Sequence, residues 1–143
     1  MDNGELESTV DQLINLGRAN ETSQMLDARL HAAVESVGAT APNLRQGNLG
    51  VGDWARDTVT KMKKAAHAEI CDEKAGKVKE KYLSLLDKGT SKEAIAWLSS
   101  SISAVLVALN LGPLAVSTVV VYLAIWILKM GLNSWCSISA MHS

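Results

Sequence analysis

Residues 94–135 read AIAWLSSSISAVLVALNLGPLAVSTVVVYLAIWILKMGLNSW and carry one charge, Lys129. No other feature restricts this chain of 143 residues so strongly. A helix that is apolar on all sides needs cover on all sides, from protein or from lipid. The block is broken once, at Asn110-Leu111-Gly112-Pro113. Proline cannot continue the first helix and suits the first turn of a second. The sequence therefore predicts two apolar helices, 91–111 and 114–136. A connection of about four residues lays them antiparallel. At 1.5 Å per residue the first is about 30 Å long, the hydrocarbon thickness of a bilayer, and the second is long enough to span it. The expected fold class is all-α, with a two-span transmembrane hairpin over 91–143.

Charge divides the chain into three parts. Residues 1–52 net −4, residues 53–92 net +3, and residues 93–143 net 0. Lys74, Lys77, Lys79, Lys81, Lys88 and Lys92 precede the first apolar helix, and the turn has no basic residue. By the positive-inside rule both termini then stay cytoplasmic at the inner (plasma) membrane and the turn faces out. Trp97 and Trp135 fall at the same inner interface, where tryptophan is favoured. The basic stretch is expected to lie against anionic lipid. Its alternative partner is the acidic 1–37 segment, of the same chain or of a neighbour.

The front of the chain reads as amphipathic helices. Leu6, Val10, Leu13 and Leu16 recur at helical spacing, and Leu26, Leu30, Ala33 and Val37 resume the pattern beyond a soft spot at Gly17. Gly38 is a candidate helix stop, and residues 38–52 form a Gly-rich linker that closes an acidic 1–52 region. Asp53 is a candidate N-cap of a basic juxtamembrane helix over 53–90. Val59, Met62, Ala66 and Ile70 make its first stripe; Val78, Tyr82 and Leu85 make a second, after Gly76. Thr90 and Glu93 have capping-box spacing for the next helix. No segment alternates with the period of a strand.

Polar residues inside the apolar block fall on faces. A helix turns 100° per residue, so Ser99, Ser103 and Asn110 share one face of the first span. Thr118, Tyr122, Lys129 and Asn133 share one face of the second. These seven are candidate pore-lining residues if several hairpins assemble around water, with Lys129 forming a ring of positive charge. The plainer reading has Ser and Thr satisfying helix carbonyls and Lys129 snorkelling to the interface.

Chemistry-bearing motifs are missing. Cys71 and Cys136 form no disulfide framework, and with His31, His67 and His142 they make no zinc pattern. Both cysteines are expected as free thiols, and His31 and His67 as helix-surface residues. Glu69, Asp72 and Glu73 sit beside lysines as a solvated face. The acidic N-terminus lacks the basic and apolar regions of a secretory signal, and no lipidation motif is present. No nucleophile elbow, P-loop or nucleic-acid motif occurs. The expectation is a non-enzyme without cofactor or metal, and not a nucleic-acid binder. It is a small oligomeric membrane effector whose hairpin forms a pore or depolarises the inner membrane, as a toxin or an abortive-infection defence effector does. It would act with membrane lipid, with copies of itself and with a cytoplasmic regulatory protein. The alternatives are a membrane-anchored helical adaptor without conductance, and a soluble cytoplasmic oligomer that stores the hairpin buried before insertion.

Overall fold

The computed structural model describes residues 3–40, 50–71, 92–108, 110–131 and 135. Five α-helices appear in this order: α1 (Asn3–Asn15), α2 (Ser23–Thr40), α3 (Val51–Cys71), α4 (Lys92–Ala108) and α5 (Ser117–Met130). Single 3-10 turns, Arg18–Asn20 and Gly112–Leu114, join α1 to α2 and α4 to α5. The fold is all-helical, as the periodicity predicts. Lys74, Lys77, Lys79, Lys81, Lys88, Asn133, Cys136 and His142 lie outside the described residues, as do the Val78 stripe and Thr90.

Helix ends follow from local chemistry. Gly17, at φ 79°, ends α1 with its N–H on the Ile14 carbonyl at 2.9 Å. Leu6, Val10 and Leu13 are buried, but Leu16 is 61% exposed. The expected stripe loses its last member because the left-handed glycine turns the chain away just there. Thr22 caps α2, its Oγ1 accepting from the Met25 N–H at 3.2 Å. Gly38 does not stop α2, which runs on to Thr40. It serves packing instead: a Cβ there would stand 2.5 Å from a carbon of the Trp54 ring. Asp53 is not an N-cap either, because α3 starts at Val51 and places Asp53 in the first turn.

The hairpin turn is longer than expected. Asn110 adopts φ 62°, Leu111 N–H bonds the Leu106 carbonyl at 2.8 Å, and Asn110 N–H bonds that of Val107 at 3.2 Å. This is a Schellman ending with asparagine in the left-handed position. Pro113 then enters a 3-10 turn rather than α5 itself. At the far end Gly131, at φ 86°, terminates α5. The two helices are thereby about 25 Å and 21 Å long by residue rise. Among the described residues no helix is long and apolar enough to cross a membrane.

Helix α5 is the centre of the bundle. Every residue from Val119 to Leu128 is buried. α5 packs on α1, α2 and α4, while α3 packs on α2 and α4. Gly38 meets Trp54 and Asp27 meets Lys63, so α2 and α3 run antiparallel. The covering helices each bury one face: Leu26, Leu30 and Val34 from α2, Ala55, Val59 and Met62 from α3, Ile95, Leu98 and Ile102 from α4. Helices from the acidic, basic and apolar parts thus share one core. Full burial of an aliphatic side chain contributes about 1.5–3 kcal/mol. The α5 residues are therefore the densest source of stability in the fold.

Candidate functional site: a clasp on the central helix

Lys63 and His67 are four residues apart on α3 and share a face. Lys63 pairs with Asp27 of α2, and its ammonium stands 4.0 Å from the centroid of the Trp126 ring of α5. The pair is only 16% and 35% exposed at Lys63 and Asp27. Three helices are thereby joined at one charge, through an ion pair and a cation–π contact. His31, one turn along α2 from Asp27, donates Nδ1–H to the Asp27 carbonyl at 2.8 Å.

His67 continues the clasp inward. It is fully buried, and its Nε2 lies 3.1 Å from the Trp135 carbonyl. A carbonyl oxygen only accepts, so Nε2 carries the proton. The His67 and Trp135 rings meet edge to face at 5.0 Å, and Trp126 meets Trp135 in the same manner at 6.4 Å. The indole N–H of Trp135 is buried and has no hydrogen-bond partner among the described residues. Expecting His67 on the surface is incorrect. It lies one position beyond the buried Ala66, and Trp135 closes over it.

Further polar contacts hold the cover on. Thr9 Oγ1 and Ser117 Oγ are 2.9 Å apart, linking α1 to the start of α5. Lys92 pairs with Asp11 at 2.9 Å, linking α4 to α1, and this hydrogen bond holds the Lys92 pKa above its ordinary range. Glu21 takes both nitrogens of the Arg29 fork, at 2.6 and 2.7 Å. That bidentate bond lowers the Glu21 pKa against the opposing effect of burial, and raises that of Arg29. Lys129 reaches back to the Ala19 carbonyl at 3.5 Å.

Six of the seven candidate pore-lining residues are described, and in the single chain they lie in different surroundings. Ser99 is fully buried, and its hydroxyl has no hydrogen-bond partner among the described residues. Ser103 is half-buried, and Asn110 is exposed in the turn. On α5, Thr118 and Lys129 are exposed near the two ends and Tyr122 is buried between them. Trp97 is half-buried and Trp135 fully buried. Of the six basic residues expected at lipid, Lys92 is described, exposed, and paired with Asp11.

Asp11, Asp27, Lys63 and Trp126 have no motif to announce them. The available signal is the charge division of the chain, since Asp27–Lys63 and Asp11–Lys92 each join an acid of 1–52 to a lysine of 53–92. Among the described residues no group of three or more His, Cys, Asp or Glu side chains could hold a metal ion. No family model, curated protein or solved structure matches the chain.

Proposed function

We propose that this chain is a small membrane effector in its closed form, with the α4–α5 hairpin as its inserting element. The observation that carries this reading is the unbroken burial of Val119–Leu128 under helices that each bury one face. Such a segment needs apolar surroundings, and lipid can replace the cover that α1 and α2 supply. On release, several hairpins assemble in the inner membrane with both termini on the cytoplasmic side. Ser99, Ser103, Asn110, Thr118, Tyr122, Lys129 and Asn133 then line the shared pore, and Trp97 and Trp135 take up the interface. The protein acts by permeabilising or depolarising the membrane rather than by catalysis, in the manner of a toxin or a defence effector.

The completeness of the cover within one chain favours a second reading, a bundle that stays closed and serves as an adaptor. A lock separates the two. Thr9→Cys with Ser117→Cys, in a chain whose native cysteines are replaced by serine, ties α1 to α5 where the two oxygens are 2.9 Å apart. The effector reading expects dye release from vesicles by the reduced protein and none by the oxidised one. No release in either state supports the adaptor.

A further inference from the structure

Two ion pairs among the described residues cross between parts of opposite charge and have a common form. Asp11–Lys92 joins α1 to α4, and Asp27–Lys63 joins α2 to α3. In each, the acid lies on the N-terminal cover and the lysine on the basic stretch before the hairpin. Lys92 is the first residue of α4, at the base of the hairpin itself. Its side chain is 53% exposed and that of Asp11 49%, so solutes reach both. Lys61 and Lys64, either side of Lys63 on α3, are also exposed. A lysine ammonium is a compact point charge that takes a phosphate oxygen as readily as a carboxylate. An anionic bilayer offers phosphates at high local density, with an attraction that grows with each lysine brought near and fades within a Debye length.

We infer that the bundle opens by charge exchange at an anionic lipid surface: headgroup phosphates take Lys92 and Lys63 from Asp11 and Asp27. This rests on the membrane-effector reading and names its trigger. The exchange removes these two ion-pair ties between the α1–α2 cover and α3–α4 while holding the hairpin base against the headgroups. Asp11 and Asp27 thus occupy the places of lipid phosphates in the closed form. Removing the acid and removing the lysine of one pair then have opposite effects, although both break the same contact. A pair that is only a structural tie gives both variants the same effect.

The test uses the full chain with vesicles of phosphatidylcholine alone or mixed with phosphatidylglycerol. Insertion is read by quenching of tryptophan fluorescence by brominated lipid, and folding of each variant is checked by circular dichroism. Wild-type insertion should be at least about tenfold stronger with phosphatidylglycerol and should weaken as salt is raised. Asp11→Asn should insert at a lower phosphatidylglycerol fraction than wild type, and Lys92→Gln should require a higher one. Shifts of both variants in the same direction overturn charge exchange. Equal insertion into neutral and anionic vesicles also overturns it and leaves the effector reading standing. No insertion of wild type or Asp11→Asn into either vesicle overturns the effector reading itself.

Discussion

Lys63 stands over the ring of Trp126 while bonded to Asp27, so one ammonium couples the central helix to two of the helices around it. Lys63→Met keeps most of the side-chain volume but removes the charge and leaves the Asp27 carboxylate without that partner. We expect a loss of about 1–3 kcal/mol in urea unfolding, from the cation–π contact and the charge-assisted bond together. Lys63→Arg should retain much of it. A Lys63→Met loss below about 0.5 kcal/mol, the ordinary range for surface substitutions, would show that the clasp does not hold the helices.

Gly38 tests the closest approach of α2 and α3. A methyl group there meets the Trp54 ring at 2.5 and 2.8 Å, and the ring is itself buried. Gly38→Ala should therefore destabilise by about 1–3 kcal/mol, as overpacking does, despite the better helix propensity of alanine. Thermal unfolding reads the result, and a rise in Tm would mean that the helices separate freely.

Acid should loosen the α2 end through Glu21. Its carboxyl is held below its ordinary value of 4.5, chiefly by the hydrogen bond to Arg29. A depressed folded pKa means that this stabilisation is fully present above the ordinary value and is lost as pH falls through the lowered one. Glu21→Gln should be less stable than wild type near neutrality, and the gap should close in strong acid. A gap that stays constant across that range would contradict the assignment.

Ser99 separates stability from permeation. Its buried hydroxyl has no hydrogen-bond partner among the described residues of the closed bundle, so Ser99→Ala should leave stability unchanged or raise it by about 1 kcal/mol. If Ser99 lines the assembled pore, the same variant lowers single-channel conductance in planar bilayers. Unaltered conductance removes it from the lining.

Lys129 offers the complementary test. It is exposed at the end of α5 and reaches the Ala19 carbonyl at 3.5 Å, a long contact of small energetic weight. Lys129→Glu should leave the closed bundle folded and shift ion selectivity toward cations, read as a change in reversal potential. An assembled mutant with wild-type selectivity places Lys129 away from the ion path.

The helices are legible in the sequence because each covering helix repeats its apolar residues at the helical period, as Leu26 and Leu30 do. The hairpin is legible from Pro113 and the charge-free run around it. Its surroundings are not. Tyr122 and Trp126 read alike whether lipid or α2 lies beside them, because a helix apolar on all sides carries no mark of what covers it. The turn is misjudged because Asn110 ends α4 through a backbone conformation that composition does not signal. Lys63 and Asp27 are 36 residues apart, and only the antiparallel course of α2 and α3 brings them together. His67 is hidden because a residue one step from an apolar stripe faces the core or water according to what the rest of the chain lays over it.

The position of α5 at the centre of the bundle, and after its covering helices in the chain, has a consequence for synthesis. A ribosome makes the cover first and α5 after it. Until Ser117–Met130 emerges, Val10, Leu26 and Ile102 have no α5 to close against, and the nascent chain must wait with its apolar faces open. The interval is brief, but in it the growing protein offers chaperones, membranes and sister chains the surfaces that the finished one conceals.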